Sequence, residues 1–228
     1  MGASEYPERR AQSSHPLMGA SLPNLLRLVR AYGPGIGPLF YASALVRAPF
    51  MLADRLWSLA KKPAVEAPVF ILGHWRSGTT HLYNVLAQSE GFAWASPFAA
   101  ALPLDGVSLT ALFRPLLRRR LPKGRFIDQV EVTETSPQED EFALANLQPL
   151  SFLHALYFPR QFEAIFNKGL FFDGASDADV ARWRKAFTAN CRKIAAARPG
   201  KTLLIKNPVY TARVKEILKV FPDARFVH

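Results

Sequence analysis

The chain has 228 residues, 49% of them hydrophobic and 21% charged, a balance that excludes a disordered polymer and suffices for one α/β domain with extra helices. Its formal charge of +11 calls for an anionic partner, but the cations are scattered among apolar runs, which argues against a long polynucleotide and for no nucleic-acid role. Cys191 is the only cysteine, so an internal disulfide and a cysteine-rich zinc site are excluded.

Met1 to Pro16 lacks the apolar stretch of a secretory leader, so the protein reads as cytoplasmic. The opening Met-Gly-Ala-Ser resembles an acylation signal only in part, because Tyr6 stands where that signal needs Ser or Thr. From Leu22 to Lys62 the pattern predicts helices, broken at Tyr-Gly-Pro-Gly-Ile-Gly-Pro over 32–38. Leu25, Leu28 and Val29, then Leu52, Leu56 and Leu59, recur at helical spacing. The run from Ile36 to Ala60 is apolar, yet Arg47, Asp54 and Arg55 interrupt it, and a membrane-spanning helix rarely accepts three charges. Two readings stand for these helices. They form a layer packed on the core, or they lie on a membrane surface, since Arg47, Arg55, Lys61 and Lys62 flank apolar faces. The predicted organisation is an N-terminal helical segment over 1–64 and an α/β domain over 65–228.

Val69 to Leu72 is a short continuous apolar run, the mark of a strand buried on both faces. Thr79 to Gln88 places Leu82, Val85 and Leu86 on one face and reads as the following helix. A mainly helical insert covers 97–200. The grammar then repeats: Thr202–Lys206 as strand, Thr211–Phe221 as helix, Ala224–His228 as strand. Strands alternating with helices predict an α/β fold, a P-loop-like parallel sheet flanked by helices.

Between the first strand and its helix stands Gly73-His74-Trp75-Arg76-Ser77-Gly78-Thr79-Thr80. A strand feeding a glycine turn and then a helix exposes backbone N–H groups that, with the helix dipole, bind a phosphate-like anion. Gly73 and Gly78 let the backbone curl. Ser77, Thr79 and Thr80 add hydroxyls, and Arg76 adds a planar fork that spans two oxygens. An ordinary strand-to-helix turn capped by Ser77 would explain one Ser and one Gly but not the set. A nucleoside triphosphatase needs Lys after the second glycine, and Thr79 occupies that place, which argues against ATP hydrolysis.

These residues resemble the sulfotransferases that use 3′-phosphoadenosine 5′-phosphosulfate (PAPS). The likeness is to a bacterial-type branch, and three motifs carry it in order: residues 73–82 (GHWRSGTTHL), 136–144 (SPQEDEFAL) and Lys206-Asn207-Pro208. The resemblance runs from about Pro68 to His228. It implies that Arg76, Ser77, Gly78, Thr79 and Thr80 cradle the 5′-phosphosulfate of PAPS. It also implies transfer of a sulfuryl group to a hydroxyl or amine on a small-molecule, glycan or lipid acceptor, without a metal. The family places a second signature, which holds the 3′-phosphate of the donor, just after the third strand, and the chain reads as an incomplete member that stops before it. Alternatives are an inactive relative that keeps the nucleotide site and a peripheral membrane protein acting through its N-terminal helices.

Lys206 ends a strand, at the sheet edge where open α/β folds bind ligands, and is expected to act on the leaving phosphate. Cytosolic members have Lys-Thr-His there, the His being the base; here that His is replaced by Pro208, so the base is sought among Glu139, Asp140 and Glu141. Ser136-Pro137-Gln138-Glu139 reads as a capping box, which gives Glu139 a structural task and starts a helix at that point. Asp140 shares a face with Leu144 and Leu147, whereas Glu141 falls beside Gln148 on a more polar face. Asp140 and Glu141 are equal candidates for the base. His74, Trp75 and His81 flank the loop; Trp75 reads as packing, as a stack on adenine or as a wall of the pocket, and His81 as a hydrogen-bonded structural residue. The run Arg114–Arg125 holds six cations and reads as solvated surface or as an attractor for an anionic acceptor.

Overall fold

A computed structural model describes residues 16–61, 64–119 and 133–228. The start of the chain, Lys62 and the 120–125 part of the basic run lie outside them. Four strands, β1 (Val69–Ile71), β2 (Phe92–Ala93), β3 (Thr202–Lys206) and β4 (Arg225–Val227), form one sheet in the order β2-β3-β1-β4. All three pairings are parallel, with Val69 opposite Leu204 and Arg225, and Ile71 opposite Lys206 and Val227. This is the predicted α/β class. β2 has only two residues, too short to leave a periodic signal, and it was not expected.

Side chains alternate across the sheet. Phe70, Leu203 and Ile205 enter one apolar cluster with Trp183, Phe187, Tyr210 and Phe221. Val69, Ile71 and Leu204 enter another with Tyr83. The helix α3 (Thr79–Leu86) supplies that second layer; α8 (Asp177–Ala197) and α9 (Val214–Val220) supply the first. Phe70 lies at the centre, its ring within 5.7 to 6.5 Å of Phe187, Tyr210, Phe221 and Phe226.

The helices α1 (Leu22–Tyr32) and α2 (Pro38–Lys61) are broken at the Gly/Pro stretch as expected, and Gly33 at φ 85° ends α1. The insert comprises α4 (Pro97–Ala101), α5 (Gly106–Arg118), α6 (Glu141–Leu147), 3-10 turns at Phe152–Leu156 and Pro159–Gln161, and α7 (Phe162–Phe171) ahead of α8. Leu17, Leu25, Leu28 and Ala44 from the N-terminal part share a core with Tyr157, Phe158 and Ile165 of the insert.

Two expectations are corrected. The helix after β3 does not run from Thr211 unbroken: Pro208 starts a 3-10 turn, Pro208–Ala212, whose N-cap Asn207 accepts from the N–H of Val209 at 3.3 Å. The capping box at Ser136 does not form either. Ser136 Oγ accepts from the N–H of Thr133 at 2.9 Å, and the N–H of Gln138 donates to Ala95 O at 2.9 Å. Residues 137–139 are therefore non-helical and α6 starts at Glu141, with Asp140 as N-cap.

Candidate active site

The loop between β1 and α3 is tightly wound. Gly73, Arg76 and Gly78 have φ of 149°, 66° and 85°, and a Cβ on Gly73 would meet Thr79 Cγ2 at 2.6 Å and Ser77 Oγ at 2.9 Å. Glycine is therefore obligatory at 73 on two counts, conformation and space. Ser77 closes the turn, its hydroxyl donating to His74 O at 2.6 Å. Thr211, from the 3-10 turn after β3, holds the base of the loop by accepting from the N–H of Gly73 at 3.0 Å. Gly78 caps α3 without any side-chain bond, and the positive end of the α3 dipole lies at this loop. Arg76 and Ser77 are exposed, and Thr79 and Thr80 partly so. These residues fit an anionic phosphosulfate.

Lys206 brings the second motif to the first. Its ammonium, almost wholly buried, donates to Thr80 Oγ1 at 3.0 Å and makes a short ion pair with Glu139 Oε1. Released from a capping duty, Glu139 reaches the loop from the extended stretch ahead of α6, and its side chain keeps 20% exposure.

Asp140 and Glu141 point elsewhere, and the expectation of Glu141 on a polar face is corrected. They are 0% and 1% exposed, inside one hydrogen-bonded network. Tyr210 Oη donates to Asp140 Oδ2 through a short bond, and Asn207 Nδ2 donates to Asp140 Oδ1 at 3.2 Å and to Glu141 Oε2 at 3.1 Å. Ser151 Oγ donates to Glu141 Oε1 at 2.6 Å, and Arg213 Nη1 lies 3.6 Å from Glu141 Oε2. Burial, helped by the neighbouring Glu141 charge and opposed by the Tyr210 hydroxyl, lifts the Asp140 carboxyl to about 7. Burial also raises Glu141, against the pull of Arg213. Both carboxyl groups are closed off from solvent in this network. Arg213 is equally enclosed, its guanidinium donating to the carbonyls of Gly169 and Leu170 beneath the Phe172 and Trp183 rings. It is not available to clamp a phosphate.

Trp75 contributes an apolar wall. Its ring meets Phe152 edge-on at 6.2 Å, Phe152 meets Phe166 at 5.7 Å, and Phe166 stacks on Phe162 at 5.8 Å. Trp75 at 36% and Phe162 at 47% exposure mark the ends of this aromatic track. Sequence reasoning missed the track, because its members are distant in sequence.

Loop, strand-end lysine and acidic segment together define the sulfotransferase class, and the chain belongs to that family: residues 68–228 match its profile (Sulfotransfer_3, sulfotransferase family). Among curated proteins it is similar to omega-hydroxy-beta-dihydromenaquinone-9 sulfotransferase Stf3 of Mycobacterium bovis and of Mycobacterium tuberculosis, each 28% identical over 170 residues. The match covers 75% of this chain and 43% of each relative, so the chain spans less than half the length of these proteins. Sulfotransferase STF1 from Mycobacterium tuberculosis H37Rv shares the fold, with a TM-score of 0.52 at 19% identity over 95% of this chain and 60% of that one.

Proposed function

We propose that the chain carries the donor-binding and proton-transfer residues of a PAPS-dependent sulfotransferase, with Glu139 as general base. The observation that carries this is the Lys206 ammonium joining Thr80 of the loop to Glu139 at the sheet edge. The donor supplies an activated sulfuryl group; a new S–O or S–N bond to the acceptor forms as the S–O bond to the 5′-phosphate breaks. Arg76, Ser77, Thr79, Thr80 and the first-turn N–H groups of α3 hold the anion. Lys206 sets a fixed cation where negative charge develops on the leaving oxygen, inside a site that needs no reorganisation to provide it. Glu139 Oε1 is held by Lys206, and its other oxygen accepts the acceptor proton. Asn207 and Tyr210 position the segment ahead of α6 that carries Glu139 by binding the adjacent Asp140.

The aromatic track from Trp75 to Phe162 favours an acceptor whose hydroxyl is borne on an apolar body over a glycan. The Stf3 relatives, whose name describes an omega-hydroxylated menaquinone, support that class. Glu139→Gln should lower PAPS turnover by roughly 10²–10⁴ while calorimetry shows adenosine 3′,5′-bisphosphate bound as tightly as before. Unchanged turnover would remove Glu139 from the role, and nucleotide retention without turnover in the unsubstituted chain would make it a binding relative.

A further inference from the structure

No helix among the described residues is long and apolar enough to cross a membrane. The orientation of the charges in α2 is nevertheless unusual. Arg47 is turned inward and forks onto Asp105, with Nε to Oδ2 at 2.6 Å and Nη2 to Oδ1 at 3.0 Å. Asp54 is also inward, accepting from the N–H groups of Val107 and Ser108 at the start of α5 and from Lys193 Nζ at 2.7 Å. The large aliphatic residues face the other way: Leu45, Val46, Leu52, Leu56 and Leu59 are between 57% and 74% exposed. Positions 45, 52, 56 and 59 form one helical stripe. Ala44 packs on the core beside these two buried charges, while the large aliphatic side chains of α2 lie in solvent.

The neighbour α5, joined to α2 by the Phe50–Phe113 ring contact at 6.0 Å, adds Leu112 and Leu116 at 64% and 53% exposure. The acids at this pair of helices, Asp54 within α2 and Asp105 at the α5 N-cap, are both buried, and every exposed charge within α2 and α5 is positive: Arg55, Lys61, Arg114 and Arg118. Glu134 pairs with Arg114 and Arg118 and leaves the rim net positive.

We infer that the α2–α5 face docks on an anionic bilayer surface, its aliphatic side chains entering the headgroup–acyl boundary while the rim cations meet lipid phosphates. Charge complementarity selects this occupant. A second copy would set two positive rims against each other, and a covering protein segment would have to be both apolar and acidic. The inference is independent of the reaction proposed above.

Flotation of the 228-residue chain with vesicles of phosphatidylcholine, with and without about one third phosphatidylglycerol, tests it. Binding is expected to the anionic vesicles only and to weaken with added salt. The pair Leu52→Ser and Leu56→Ser should lower vesicle affinity about tenfold or more with the near-UV circular dichroism unchanged. The pair Arg55→Gln and Lys61→Gln should lower it and reduce its salt dependence, which keeps the test open should the serine pair not fold. Failure of the parent chain to float with anionic vesicles overturns the inference, as does equal flotation of both paired variants. A lipid-free dimer that the serine pair converts to monomer would also overturn it and assign the face to a second copy.

Discussion

Glu139 and Asp140 are adjacent, yet one meets Lys206 at the open edge of the site and the other is sealed against Tyr210. Asp140 holds a proton to about pH 7 in the folded chain, against an ordinary value of ~3.9 when unfolded. Between those values the folded state binds a proton that the unfolded state has released. Stability must then fall as pH rises from about 4 to about 7, and the raised Glu141 acts in the same direction. Asp140→Asn should flatten this slope, measured as the urea midpoint at several pH values; an unchanged slope would mean that Asp140 is ionised in the fold. Arg76 makes a separate prediction. Arg76→Ala should weaken adenosine 3′,5′-bisphosphate binding by about 1.5–3 kcal/mol, the scale of a charged hydrogen bond, and equal calorimetric affinity would exclude Arg76 from the cradle. Both the loop and Lys206 were legible in sequence, because a local motif and a strand end declare themselves. The Lys206–Glu139 pair was not, since its members stand 67 residues apart and a capping box explained Glu139 locally.

At the scale of elements, β1 and β3 were readable as continuous apolar runs because both their faces are covered. The start of α6 was misplaced because Ser136 serves the N–H of Thr133, three residues before it, instead of a helix N–H, while Gln138 pairs with Ala95 across the fold. In α2, helical spacing was visible in the sequence, but which face packs was not. An apolar stripe normally marks the buried side, and here the fork of Arg47 on Asp105 and the capping of α5 by Asp54 turn it outward. That polar seam fixes the orientation of α2. Arg47→Ala would leave Asp105 buried without its cation and should cost about 3–5 kcal/mol in chemical denaturation, with nucleotide affinity unaltered. A loss under about 1 kcal/mol, the level of an exposed pair, would show that the seam does not set the orientation.

Across the whole molecule, the N-terminal helices and the site are mechanically joined. Asn24 of α1 donates through Nδ2 to the carbonyls of Ala145 and Asn146, at 3.1 and 3.0 Å, where α6 ends. Asn146 in turn donates to Pro16 O at 2.7 Å, and Tyr157 Oη accepts from the N–H of Leu17 at 2.9 Å. The same α6 opens with the Asp140–Glu141 network, next in sequence to the Glu139–Lys206 pair. The described part of the N-terminal segment, from Pro16, is distinguishable in sequence but shares buried polar bonds and an apolar cluster with the rest. Such sharing makes unfolding one cooperative event, because neither part retains its core alone. Asn24→Ala should then lower stability by about 1–3 kcal/mol, the cost of leaving the buried Asn146 carbonyl without its donor, and should shift the whole transition. Far-UV circular dichroism and tryptophan fluorescence should give coincident denaturation curves in both proteins. If the variant instead shows an early helical transition while the tryptophan signal keeps its midpoint, the N-terminal layer is an independent unit and the coupling to α6 carries no stability.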